Sequence, residues 1–320
     1  MKGLALLLLS TSTYLLGAPA HAGTPCKNPD PATFQSVTAD SDAGCEAAKE
    51  FSTAIAEVRK FTPRPSPFEL TIHHEDILYQ QEDRFSTYGA IEIKDPKLRI
   101  NAGWMHEYGH SVCSKILEQN ISEYKKYADT QRRAEAFARE TVTQTKSIAD
   151  PRKKIAFINS RSEKLKMFET DPKFKRTIEP YHELCADVVS VLHAQDASAM
   201  TKTLTKTIPS ELHPRIRPEL YDFSKPHPNT ETDACYGDPH HVFAPVRSQL
   251  GSMGIARQET TTNKTRFFNQ FAITMVTQLR QQLKTPNCDS VNKNYLFMKA
   301  MNPVGETIDA SDEVQAAPAD

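Results

Sequence analysis

The stretch 104–113 reads Trp-Met-His-Glu-Tyr-Gly-His-Ser-Val-Cys and constrains this chain more than any other segment. Its uncharged residues predict a buried helix over 103–118. Residues four apart lie on one face of a helix, so His106 and His110 can offer two ring nitrogens to one metal ion. Glu107 lies beside that face, within reach of a metal-bound water. The rest of the chain must therefore supply the remaining ligands.

A second stretch, Tyr181-His-Glu-Leu-Cys-Ala-Asp187, offers those groups. The i, i+4 spacing puts Glu183 and Asp187 on one helix face. Glu183 is predicted to be the third ligand. Asp187 is predicted to accept the second ring N–H of a ligand histidine, which would fix the orientation of that ring. The neighbouring residues are apolar, and two buried acids need a positive partner, which a zinc ion would provide.

Other interpretations of these residues stay open. Asp233, in Asp-Ala-Cys-Tyr-Gly, resembles the Asp-x-x-Tyr-Gly part of the aspzincin motif and is a competing third ligand. The Gly-Thr that precedes this part of the motif is missing, however. His182 points about 100° away from Glu183 on a helix, so it is not predicted to be a ligand. Glu183 can also be an ordinary helix carboxylate.

The segments His106–Cys113 and Tyr181–Ala194 resemble the zincin-like metallopeptidases of the gluzincin type, in which a Glu on a later helix is followed by Asp four residues on. The metzincin continuation fails, because Cys113 and Ile116 stand where it has Gly and His. The resemblance covers a small part of the chain. It implies a zincin-like α+β fold, mostly helical, with a small twisted sheet in the N-terminal lobe and a helical C-terminal lobe.

The resemblance also implies one Zn²⁺ per chain and hydrolysis of peptide bonds in a peptide or protein substrate, through a zinc-bound water activated by Glu107. Family members usually add a His or Tyr from the later lobe to stabilise the oxyanion. The candidates are His240, His241 and Tyr236, with Arg247 as a further possibility; each can also be an ordinary loop residue. Two other functions remain open: a zinc-binding protein of this fold with little turnover, and a zinc amidase acting on cell-wall peptides.

Residues 1–22 are typical of a signal peptide, with Lys2, an apolar run, and Ala20-His-Ala22 before Gly23. An uncleaved N-terminal anchor is the alternative. The expected location is secreted or periplasmic, without stable membrane insertion after cleavage. The formal net charge is −1, which gives no overall attraction to nucleic acid.

The six cysteines are an even set, which favours disulfide bonds in an exported chain. The local pairs are Cys26 with Cys45 and Cys235 with Cys288. Pairing them leaves Cys113 and Cys185, one on each ligand helix, and a bond between these two would tie the helices together. Buried free thiols are the alternative.

Further boundaries follow from pattern and proline positions. Strands are predicted at Phe68–Ile72, Tyr88–Lys94 and Leu98–Ile100, and Tyr88–Lys94 is a candidate edge strand for an extended substrate. A helix is predicted over 47–61, and Pro180 is predicted to begin a new helix. The predicted segments are 1–22, the signal peptide; 23–67, irregular and helical; 68–304, the metallopeptidase domain (68–120 sheet and first ligand helix, 121–179 charged helical insertion broken at Asp150-Pro and Asp171-Pro, 180–304 Glu helix and C-terminal lobe); and 305–320, a disordered acidic tail.

Overall fold

The fold is described from a computed structural model of the chain. The residues it describes are 24–27, 29–39, 41–72, 84–86, 90–93, 102–168, 171–207, 210, 213–228, 238–285 and 289–301. The predicted signal peptide, the predicted tail and the predicted strand Leu98–Ile100 lie outside these residues.

A five-stranded sheet lies in the N-terminal part of the described chain, in the order β1-β2-β3-β5-β4. Strands β2, β3 and β5 run parallel, whereas β1 and β4 pair antiparallel with β2 and β5. The strands are β1 Thr24–Pro25, β2 Phe34–Ala39, β3 Phe68–Ile72, β4 Arg84–Ser86 and β5 Ala90–Ile93.

The strand predictions are partly confirmed. β3 has the predicted bounds, and β5 falls inside Tyr88–Lys94. That segment is not the edge, however, because β5 lies between β3 and β4, and β4 is the edge strand. β2 was missed because a register shift between Phe34 and Ser36 puts two exposed residues in succession, which breaks the alternation that identifies a strand.

Helices make up most of the described chain, in agreement with a mostly helical α+β class. They are α1 Asp42–Val58, α2 Ala102–Asn120, α3 Ser122–Lys146, α4 Pro151–Leu165, α5 Pro172–Ala194, α6 Ala199–Thr207, α7 His213–Ile216, α8 Pro239–Val242, α9 Ala244–Ser252, α10 Thr261–Lys284 and α11 Ser290–Met301. Short 3-10 turns occupy Lys166–Phe168, Pro218–Tyr221 and Ile255–Arg257. No helix among the described residues is long and apolar enough to cross a membrane.

Two Asp-Pro pairs start helices, as predicted. The side chains of Asp150 and Asp171 accept hydrogen bonds from backbone N–H groups in the first turns of α4 and α5. The prediction that Pro180 begins a helix is wrong, because it lies inside α5. Asp171 supplies a good start nine residues earlier, and Pro180 is buried, so packing outweighs the lost backbone hydrogen bond.

Helix α2 packs against α1 on one side and against α5 on the other. On one side, the rings of Trp104 and Tyr108 pack against Phe51 of α1, with centroid distances of 5.2 and 6.5 Å. On the other side α5 approaches so closely that a Cβ on Gly109 would lie 2.7 Å from the Cα of Ala186. Only glycine permits this approach, which places the face of α2 that carries His106 and His110 directly against α5.

Two disulfide bonds join described cysteines, Cys26–Cys45 and Cys113–Cys185. The first is the expected local pair, and the second is the expected link between the two ligand helices. Both sulfurs of the second bond are fully buried between α2 and α5. Cys235 and Cys288, the other local pair, lie outside the described residues.

Candidate metal centre

The two motif histidines and the intervening glutamate lie together on the buried face of α2. His106, Glu107 and His110 each place one potential ligand atom within 4.8 Å of the others. The side chains of His106 and His110 are only 7% and 12% exposed, and their ring centroids are 4.6 Å apart. This group can hold a metal ion.

Glu183 of α5 approaches the same point from the opposite helix. Its Oε2 is 3.3 Å from Nε2 of His106 and 3.6 Å from Nε2 of His110. A tetrahedral zinc ion with bonds of about 2.1 Å separates its ligand atoms by roughly 3.4 Å. The contacts between Glu183 and the two rings therefore have the spacing of ligand atoms around one small cation.

Oε2 of Glu183 is also buried and accepts no hydrogen bond from the described residues. A buried carboxylate oxygen without a partner is unfavourable. Burial alone would raise the pKa of Glu183, but His110, His240 and His106 hold it well below its ordinary value. The oxygen is therefore ionised and surrounded by ring nitrogens, which is the environment a divalent metal ion would satisfy.

Asp187 lies one turn further along α5 and contacts the other side of His106. Its Oδ1 is 2.8 Å from Nδ1 of His106. Its Oδ2 accepts hydrogen bonds from Nε and Nη2 of Arg247 on α9. Burial opposes ionisation, but the Arg247 guanidinium and His106 lower the pKa of Asp187. Both Asp187 and Arg247 are completely buried, so they form an internal ion pair.

Arg247, a possible oxyanion donor in the sequence, is completely buried and donates its hydrogen bonds to other groups of the protein. Besides Asp187, its Nη1 donates to the backbone carbonyl of His240 at 2.6 Å. This bond fixes α8 next to the two motif histidines. Burial and these hydrogen bonds therefore make Arg247 a structural link between α5, α8 and α9.

His240 faces the same centre from its open side. Its Nδ1 is 3.2 Å from Oε2 of Glu183, and its side chain is 32% exposed. Its ring centroid is 6.4 Å from that of His106. Two rings bound to one tetrahedral ion would lie roughly 5 Å apart, so the ring of His240 is farther from that of His106 than two such rings would be.

The other candidate residues lie elsewhere or outside the described chain. His241 has its Nε2 3.9 Å from Oδ2 of Asp238, within its own short segment. Tyr236 and the competing ligand Asp233 are not among the described residues.

His182 contacts His110, a role that was not predicted. Its Nδ1 is 2.8 Å from Nδ1 of His110, and its Nε2 is 3.0 Å from Oγ of Ser114 and 3.2 Å from the hydroxyl of Tyr124. Burial lowers the pKa of His182 to about 4, so its ring is neutral near pH 7. Helical spacing showed that His182 points away from Glu183, but it could not show that α2 places His110 there.

No protein-family model, no curated protein and no solved structure matches this chain.

Proposed function

We propose that this protein is an exported, zinc-dependent metallopeptidase of the gluzincin type, with His106, His110 and Glu183 as its metal ligands. The observation that carries the proposal is the position of Glu183 Oε2, buried without a hydrogen bond and 3.3 and 3.6 Å from the two motif rings. The donor set, two imidazoles and one carboxylate, is the one found in catalytic zinc peptidase sites.

A zinc ion held there would polarise a substrate carbonyl and acidify a water molecule. The chain itself supplies the proton transfers. Glu107 is the general base that takes a proton from the attacking water and returns it to the leaving nitrogen. His240, on the open side of the centre, is the candidate donor to the oxyanion.

The edge strand β4 is the candidate platform for substrate. It is one of the two outer strands of the described sheet and the one that packs against α2. An extended peptide can add to such an edge through main-chain hydrogen bonds, which would bring it alongside the helix of Glu107. The disulfide bonds favour an oxidising compartment, which supports the proposal of a secreted or periplasmic enzyme.

Metal analysis combined with digestion of an unbiased peptide library tests the proposal. Purified protein should contain about one zinc ion per chain and should cleave peptides until a chelator removes the metal. Glu107→Gln should keep the zinc and lose cleavage. Glu118→Gln, on the same helix but paired with exposed Arg132, should keep both.

Four results would contradict parts of this assignment. Cleavage by Glu107→Gln at the wild-type rate would remove its role as base. Full zinc occupancy in Glu183→Ala would show that Glu183 is not a ligand. Bound zinc without hydrolysis of any peptide would favour the zinc-binding protein of low turnover, whereas hydrolysis confined to cell-wall peptides would favour the amidase.

A further inference from the structure

The ring of His182 has no part in the function proposed above, although it touches a proposed metal ligand directly. The His110 and His182 rings are nearly parallel, with an interplanar angle of 9° and Nδ1 atoms 2.8 Å apart. At that separation one nitrogen must donate a hydrogen and the other must accept it.

The direction of this hydrogen bond follows from the metal site. Nε2 of His110 faces Glu183 Oε2 and must present a lone pair to bind a metal ion. The proton of His110 is then on Nδ1, and His182 must accept it at its own Nδ1. His182 then carries its proton on Nε2, since its Nδ1 is the acceptor.

Two hydroxyl groups are in place to accept that second proton. Oγ of Ser114 and the hydroxyl of Tyr124 lie 3.0 and 3.2 Å from Nε2 of His182, and 3.0 Å from each other. Ser114 is one helical turn beyond His110 on α2, and Tyr124 is on α3. A continuous set of polar contacts therefore runs from the metal-binding face to the next helix.

We infer that His182 is a positioning residue for the metal site, which fixes the tautomer and orientation of His110 through an imidazole–imidazole hydrogen bond. Ser114 and Tyr124 fix His182 in turn. The inference rests on the metal site proposed above. The two ligand rings then have different outer partners: the carboxyl group of Asp187 for His106, and the imidazole of His182 for His110.

The affinity of three variants for Zn²⁺, measured by competition with a chromophoric chelator, tests this role. His182→Leu removes the acceptor and should weaken zinc binding about 10- to 100-fold, the usual effect of losing an outer-shell partner. His182→Asn keeps an acceptor oxygen near the Nδ1 position and should retain most of the affinity. His193→Asn, also on α5 but about 16 Å further along its axis, should bind zinc like the wild type.

Nitrogen-15 NMR of histidine-labelled, zinc-loaded wild type gives an independent readout that needs no variant. The long-range proton–nitrogen couplings should place the proton of His110 on Nδ1 and that of His182 on Nε2. This measurement decides the question if His182→Leu does not fold, as judged by circular dichroism.

Several outcomes would overturn the inference. Wild-type affinity in His182→Leu, an equal loss in His182→Asn, or a proton on Nδ1 of His182 would each do so while leaving the proposed function intact. A wild-type protein that binds no zinc would overturn both proposals together.

Discussion

At the scale of single residues, the ion pair between Asp187 and Arg247 is the feature of the site with the largest cost of desolvation. Both side chains are completely buried, and Arg247 also donates a hydrogen bond to the backbone carbonyl of His240. Two buried charges are tolerated only when each neutralises the other. The pair thus orients His106 and anchors α8 with the same set of hydrogen bonds.

Removing one member of this pair should be costly. Arg247→Met leaves the Asp187 carboxylate buried without its cation, and we expect a loss of about 3–5 kcal/mol in the free energy of unfolding. The double variant Asp187→Asn/Arg247→Met should lose less than the two single variants together. Urea denaturation of the metal-free proteins measures this coupling.

Arg132→Met is the matched control for Arg247→Met. Arg132 pairs with Glu118 and Asp129 on the surface, and its loss should change stability by at most about 1 kcal/mol. Equal losses in the free energy of unfolding for the two arginine variants would show that the buried pair contributes no more to stability than the surface pair.

At the scale of elements, the contact between α2 and α5 positions the three proposed ligands. The Gly109→Ala substitution tests it, because alanine is favoured over glycine by about 1 kcal/mol in an unobstructed helix. Here the added Cβ would lie 2.7 Å from backbone Cα and 2.9 Å from backbone O of Ala186, which cannot move as a side chain could. We therefore expect a net destabilisation of about 1–3 kcal/mol and weaker zinc binding. A stability equal to or above that of the wild type in thermal unfolding would argue against this close approach.

The two disulfide bonds provide a matched comparison between stability and metal binding. Cys113–Cys185 closes a separation of 72 residues and Cys26–Cys45 one of 19, so chain entropy predicts losses of roughly 4 and 3 kcal/mol when each pair is replaced by alanine. Only the loss of Cys113–Cys185 should also weaken zinc binding, because this bond alone joins the ligand helices. Equal zinc affinity in both double variants would contradict that link.

Single helices and strands could be predicted from the sequence better than the contacts between them. The helix over 103–118 is present as α2, Ala102–Asn120, because its apolar residues and histidine spacing are local properties of that segment. The start of α5 was misplaced at Pro180, because local proline preference was outweighed by burial in the folded chain. The order of the strands and the partner of His182 depend on contacts between distant segments, which no single pattern contains.

At the scale of the whole molecule, the proposed metal ion would join parts of the chain that are far apart in sequence. His106 and His110 lie on the helix that packs on α1, and Glu183 lies on α5, which Asp187 and Arg247 link to α9. A metal that binds only the folded arrangement stabilises the whole domain by mass action.

Metal removal should therefore lower global stability. With zinc at 1,000 times its dissociation constant, the free energy of unfolding should exceed that of the chelated protein by about 4 kcal/mol. Calorimetric scans with and without a chelator measure the difference. His106→Ala should abolish the zinc-dependent increase, and an increase that survives in this variant would locate the stabilising metal elsewhere.

The bond between Cys113 and Cys185 also has a consequence for the order in which the site is assembled. These cysteines lie three residues beyond His110 and two beyond Glu183, so oxidation fixes the separation of the ligand helices at the level of the site itself. A newly made chain with both thiols still reduced holds these helices together by packing alone. If the proposed metal site is correct, its affinity should therefore be lower in the reduced chain and should rise once this bond has formed.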